Sequence, residues 1–337
     1  MDSILEIGPE AEQLHYAVGT ILIVWWAGGV FGNATLFAVF ARYRQLCSPV
    51  NVLLLSLGLA NLGMTACCIP LSTTSNFIQI WIFRWEGCKF YGFFFMFFGL
   101  SVIGNTVILA VSRYLIVCRG ELAQQLTFSH YRYFAMSAWV NGLFWAVMPI
   151  FGWSRYDIEA PLQTTCFVDW QRTDLSYVSY IISWFVVNFV LPLSLMVFAY
   201  VSAFLMRQEG QFADPIRNNE PLPSNVDWAS QPEAHWVGIA TVVVFVLSWL
   251  PYSVVFLHAI AENIGDMPPN LPIIAPLFAE ITLWIHPILF LVFIKKFRSY
   301  AAMMICCRTE VEEIEINPQA DNSHRTSETR RFADHFV

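Results

Sequence analysis

Long apolar runs alternate with short polar breaks along this chain. Crossing about 30 Å of hydrocarbon takes roughly 20 residues, and seven runs are long enough: Val18 to Phe40, Val50 to Ser75, Cys88 to Val117, Tyr133 to Ile150, Tyr177 to Met206, Trp236 to Ala261 and Leu271 to Ile294. Backbone groups inside a bilayer must find partners within their own segment, so each run is predicted to be a helix. The fold class that follows is an all-α membrane protein, a seven-transmembrane helix bundle. A short amphipathic stretch follows the last run. The polar flanks then divide the chain into an extracellular N-terminus (1–17), the bundle with its juxtamembrane helix (18–307) and a disordered cytoplasmic tail (308–337).

Basic residues in the short loops set the orientation. With the N-terminus outside, Arg42, Arg44, Arg113, Arg119, Arg132, Arg207, Lys295, Lys296 and Arg298 fall inside, against Arg84, Lys89, Arg155 and Arg172 outside. The expected arrangement is a multi-pass protein with an extracellular N-terminus and a cytoplasmic C-terminus. The first segment carries Asp2, Glu6, Glu10 and Glu12 and no basic residue, unlike the positive start of a cleaved signal peptide, so the first run is the expected insertion signal. Composition agrees: 57% of residues are hydrophobic and only 13% charged, where soluble domains carry about 25% charged residues. The net charge of −7 gives no sign of a nucleic-acid partner.

The cysteines divide by compartment. Cys88 and Cys166 fall on the outer side, where a disulfide can persist. Cys306 and Cys307 form a juxtamembrane pair of the kind that is palmitoylated. Asn33 and Asn61, on neighbouring runs, could hydrogen-bond across the bundle. The inner segment from Arg207 to Glu233 carries Pro215, Pro221, Pro223 and Pro232 with two basic against five acidic residues, which predicts disorder. Hydrolase, nucleotide and metal chemistries have no motif to stand on, and the chain does not read as an enzyme.

The last run holds the unusual chemistry. Glu280 and His286 stand inside an apolar span, and an ionisable group at that depth is a functional hypothesis by default. Pro287, which lacks a backbone donor, predicts a kink there.

Seven runs, the Cys88/Cys166 pair and Ser112-Arg113-Tyr114 at the inner end of the third run together resemble the rhodopsin-like G-protein-coupled receptors. Asn61, Trp139, Pro192, Tyr200, Ser248-Trp249-Leu250-Pro251-Tyr252 and His286-Pro287-Ile288-Leu289-Phe290 extend that resemblance. The family's acidic residue before Arg113 is replaced by Ser112, and both polar ends of its Asn-Pro-x-x-Tyr motif are replaced in the last run. The outer stretch Gly152-Trp153-Ser154-Arg155-Tyr156-Asp157-Ile158-Glu159, followed by Thr165-Cys166-Phe167-Val168-Asp169-Trp170, resembles the second outer loop of opsins. From the resemblance follow a Cys88–Cys166 disulfide and a ligand pocket of Trp249, Tyr252, Phe245, Tyr91, Glu159 and Glu280. It also implies an activation switch of Arg113, Tyr114, Asn61, Tyr200, His286 and Pro287, a photoreceptor-type role in signal transduction, and a heterotrimeric G protein and arrestin as partners.

Opsins hold retinal through a Schiff base, which needs a primary amine inside the bundle. Counted from His286-Pro287, the position of the opsin lysine is occupied by Glu280. The chain has three lysines, Lys89, Lys295 and Lys296, all at span ends. This substitution resembles a small set of insect opsin-like proteins with Glu at that position, the gluopsins, which look related to retinochrome and RGR-type opsins. The expectation is therefore no covalent cofactor, with a small apolar ligand such as retinal held non-covalently. A retinoid photoisomerase or carrier without G-protein signalling, and a receptor for a cationic ligand, are the alternatives.

Overall fold

The structure, a computed structural model, describes residues 9–43, 46–208, 234–261 and 266–305. Twelve α-helices and one short hairpin follow in order: α1 (Pro9–Arg42), α2 (Asn51–Cys67), α3 (Ile69–Ile78), α4 (Arg84–Cys118), α5 (Gly120–Gln125), α6 (Phe128–Val147), β1 (Tyr156–Ile158), β2 (Cys166–Val168), α7 (Leu175–Phe185), α8 (Leu191–Gln208), α9 (Ala234–Ala261), α10 (Leu271–Glu280), α11 (Thr282–Phe293) and α12 (Lys295–Ile305). Spans one, three and six are α1, α4 and α9. Span two is α2 with α3, and span five is α7 and α8 joined by a π-turn over Val186–Val190. Span seven is the pair α10 and α11, bent by 41°. Span four is α6, less apolar than the others because its first turns carry His130 and Arg132. A capping box starts it at Phe128, five residues before the hydrophobic run: the Thr127 backbone N–H donates to His130 Nδ1 at 3.1 Å.

The expected kink in the last span is displaced from Pro287. Helix α11 runs through that proline, and the break falls at Ile281, whose N–H bonds to the Phe278 carbonyl three residues back. The proline acts differently: with no N–H to offer, it leaves the Leu283 carbonyl four residues earlier without a helical donor. Asn33 Nδ2 fills that vacancy from span one at 2.7 Å. This corrects the anticipated Asn33–Asn61 bond, since Asn33 spends its other donor contact on the Gly29 carbonyl at 2.8 Å. Asn61 is fully buried, and its side chain has no hydrogen-bond partner among the described residues. Helices α1 and α11 approach closely enough that a Cβ on Gly32 would lie 2.9 Å from Pro287 Cγ.

The core has two halves. The inner half gathers Leu36, Leu53, Leu57 and Phe290 with Phe297 of α12, whose ring lies 5.2 Å from that of Phe40. The outer half is richer in rings and takes in the hairpin. There β1 and β2 pair antiparallel with Tyr156 opposite Val168 and Ile158 opposite Cys166. Gly152, at φ +96°, makes the turn into it that a side chain would resist. The Cys88–Cys166 disulfide ties the hairpin to α4, as expected. Arg155 Nε pairs with Asp169 Oδ2 at 2.7 Å across the hairpin's mouth, and the Tyr156 hydroxyl donates to the Ala146 carbonyl at 2.8 Å. These contacts explain locally why this loop needs its Arg-Tyr and Cys-x-x-Asp residues.

Candidate functional site

Glu280 is the last residue of α10, next to the break, and it is fully buried. Neither carboxylate oxygen has a hydrogen-bond partner among the described residues. The Tyr91 phenol on α4 lies within reach of the Glu280 carboxyl, and Ser72 of α3 within reach of the same phenol. Glu159, three residues past the start of β1, reaches in from above and is also buried. It accepts from the Tyr252 hydroxyl at 3.2 Å through Oε2, while Oε1 has no partner among the described residues. Burial pushes the Glu159 carboxyl up to about 7, opposed by hydrogen bonding from Thr165, Tyr252 and Trp170.

Both carboxylates line one cavity of about 20 Å³, roughly the room one water needs. It lies under the outer loop between spans one and seven, with Val18 and Leu22 on one wall and Ile273, Pro276 and Leu277 on the other. Asn76 and Thr164 complete its polar side, joined by a 3.2 Å bond from the Thr164 hydroxyl to Asn76 Oδ1. Neither residue stands out from the sequence. The signal for Asn76 is an amide at the outer end of an apolar run; Thr164 gives none.

Tyr91, Trp249 and Tyr252 meet around a continuous set of rings rather than an open chamber. Phe167 of β2 enters the bundle with ring centres 5.0 Å from Phe95, 4.8 Å from Tyr252 and 5.9 Å from Phe256. Tyr91 stacks on Phe95 at 5.7 Å. Trp249 lies against Gly99, where a Cβ would come within 2.7 Å of its ring. Phe245 stands a turn further in, stacked on Phe189 of the π-turn at 5.5 Å. Such rings suit a long apolar ligand, and one of retinoid length needs Phe167 and its neighbours to move apart.

The switch residues are distributed along the inner half. Arg113 is buried within electrostatic reach of Tyr200 and Arg207. Ser112 turns its hydroxyl back onto the Ile108 carbonyl at 2.7 Å. Tyr114 packs on Phe198 with ring centres 5.4 Å apart. Tyr200 and His286 face a second, smaller cavity of about 10 Å³, and His286 Nδ1 lies 3.0 Å from the Thr282 carbonyl. Trp139 donates to the Ser56 hydroxyl at 2.9 Å, linking spans four and two. Cys306 and Cys307 lie outside the described residues, as do most of the inner segment before span six and the tail.

Comparison with known proteins agrees with this architecture. The pattern of the 7 transmembrane receptor (rhodopsin family) matches residues 32–290. The chain is 32% identical over 295 residues to the visual pigment-like receptor peropsin of Homo sapiens, across 88% of this chain and 86% of that one. It is 27% identical over 345 residues to rhodopsin of Enteroctopus dofleini, across 96% of this chain and 75% of that one. The crystal structure of squid rhodopsin matches the fold with a TM-score of 0.77 at 23% identity, over 90% of each chain. Seven spans, a disulfide-held outer hairpin and these matches together show that the chain belongs to the opsins, within the rhodopsin family of seven-transmembrane G-protein-coupled receptors.

Proposed function

We propose that this opsin-family receptor takes its ligand, a retinoid first of all, without a covalent bond. The observation that carries the reading is Glu280, a buried carboxylate at the position where the family's Schiff-base amine stands. Lys89 is exposed at the outer end of α4 with Nζ over the Trp85 ring, and Lys295 is exposed at the start of α12. An aldehyde in the outer half of the bundle therefore finds no amine there. Trp249, Tyr252, Phe245 and Tyr91 supply apolar walls, Glu159 closes the outer side, and shape with dispersion does the holding. The substitution aligns the chain with the gluopsin type. The test is an absorption spectrum after incubation with 11-cis and all-trans retinal, with borohydride trapping. A retinoid that co-purifies but leaves no trapped adduct supports the reading, and a trapped adduct overturns it.

Two further readings each have an observation behind them. Ser112 in place of the family's acidic residue, with His286 and Phe290 at the two ends of the last-span motif, favours a retinoid photoisomerase or carrier with signalling lost. Two buried carboxyls, Glu280 and Glu159, lining one cavity favour a cationic ligand. The proposed orientation has the N-terminus outside and the C-terminus inside, because the hairpin's disulfide belongs on the oxidising side. Residues 1–17, 18–307 and 308–337 are the proposed outer segment, bundle and inner tail. A heterotrimeric G protein and arrestin are the proposed inner partners. Cys306 and Cys307 are the proposed lipidation sites.

A further inference from the structure

The aromatic centre of the bundle is filled by a ring that comes from outside it. Phe167 of β2 is only 1% exposed, with ring centres 5.0 Å from Phe95, 4.8 Å from Tyr252 and 5.9 Å from Phe256. Those neighbours also meet one another, Phe95 and Tyr252 at 6.2 Å and Tyr252 and Phe256 at 5.5 Å, and Trp184 of α7 closes on Phe256 at 5.9 Å. Aromatic pairs in contact have centres about 4.5 to 7 Å apart, so the cluster is packed shut around Phe167. None of these rings lines the outer cavity beside Glu159.

Phe167 differs from the others in what carries it. Phe95, Trp184, Tyr252 and Phe256 stand on spans three, five and six, whereas Phe167 stands on a three-residue strand of the outer hairpin. That strand is pinned on both sides of the ring: Cys166 by its disulfide to α4, Val168 by pairing with Tyr156, and Asp169 by its ion pair with Arg155. With the backbone held, the ring leaves the centre by turning about its own side-chain bonds. An interior at close-packed density has no spare volume for a second apolar body. A ligand lying against Tyr252 and the Phe167 ring therefore contend for one space. We infer that Phe167 is the specificity-determining residue of the ligand site, a built-in occupant that an apolar ligand has to displace and whose size sets how large a ligand the centre admits. This rests on the reading that the ligand is held non-covalently, and it names the side chain that opposes the holding.

The experiment titrates the detergent-purified full-length receptor, as wild type, F167A and F167L, with all-trans retinal and separately with benzene. Retinal is read by quenching of tryptophan fluorescence and benzene by calorimetry. F167A is expected to bind retinal at least about tenfold more tightly than the wild type, with F167L between them. Benzene is expected to saturate F167A and not the wild type, because an apolar void of ring size takes up such a molecule. A gain in affinity separates an occupant from a structural prop, whose loss would loosen the hairpin and weaken binding. Retinal bound by the wild type and no more tightly by a cooperatively melting F167A overturns the occupant role and leaves the non-covalent reading intact. Benzene bound by F167A alone, with retinal bound by neither protein, supports the occupant and removes the retinoid. A folded F167A that binds neither probe overturns the inference. Where F167A does not fold, F167L decides: retinal affinity above the wild type's supports the occupant, and affinity equal or lower overturns it.

Discussion

The pH dependence of stability isolates Glu159. Its carboxyl is buried beneath the hairpin, and burial, opposed by hydrogen bonding from Thr165, Tyr252 (3.2 Å) and Trp170, lifts it from an ordinary 4.5 to about 7. The folded state therefore holds this proton more tightly than the unfolded chain. The stabilisation from protonation is fully present below about pH 4.5 and is lost as pH rises through about 7. At about 1.4 kcal/mol for each tenfold change in proton affinity, the span is worth about 3 kcal/mol. The substitution E159Q keeps the shape and a hydrogen-bonding oxygen but removes the titration. Unfolding of the detergent-purified receptor, followed by tryptophan fluorescence between pH 4.5 and 8, is expected to show the wild type losing stability across that interval relative to E159Q. Parallel pH profiles for the two proteins would refute the reasoning, as would a wild type that gains on E159Q as pH rises.

Two other perturbations read the frame around the site. Breaking the Cys88–Cys166 bond with C88S opens a crosslink spanning 78 residues and is expected to cost about 2 to 4 kcal/mol, with the loosened hairpin detected as faster hydrogen exchange at Ile158 to Val168. Unchanged exchange would show that the hairpin is held by its other contacts. The substitution N33A strips the Leu283 carbonyl of the donor it receives from span one and is expected to cost about 1 kcal/mol, read as a lowered denaturation midpoint in detergent. An unaltered midpoint would mean that another group satisfies that carbonyl.

The span count and the unusual carboxylate were legible because each is written in composition or local pattern, and the disulfide partners through the opsin-like outer loop around Cys166. An apolar run of about 20 residues declares a helix whatever its neighbours do, and Glu280 is conspicuous by being charged in such a run. The break at Ile281 was not legible. It shows as a tightened turn, with the Ile281 N–H bonded to the Phe278 carbonyl, which no periodicity in the span records. The Asn33–Leu283 bond escaped for the same reason, since the acceptor is a backbone group orphaned by a proline four residues away. The π-turn at Val186–Val190 likewise leaves no pattern beyond Pro192 just after it. Residues named from the resemblance divided into two places. The aromatic ones fill the centre with Phe167 among them, while Glu159 and Glu280 face a cavity nearer span one. Where the residues lie was readable, and which of them share a space was not.

The most direct test of the central claim is the spectrum of the wild type beside that of E280K, each incubated with 11-cis and all-trans retinal and treated with borohydride. In the wild type no trapped adduct is expected, because Lys89, Lys295 and Lys296 stand at span ends. In E280K the amine returns to the buried position beside Tyr91 and below Glu159. A visible pigment is expected, with a retinyl adduct trapped at residue 280. Adding E159Q to E280K is expected to move absorption toward the ultraviolet, since a protonated Schiff base needs a counter-charge to keep its proton. A borohydride-stable adduct in the wild type, or a cooperatively folded E280K that takes up neither isomer, would contradict the account.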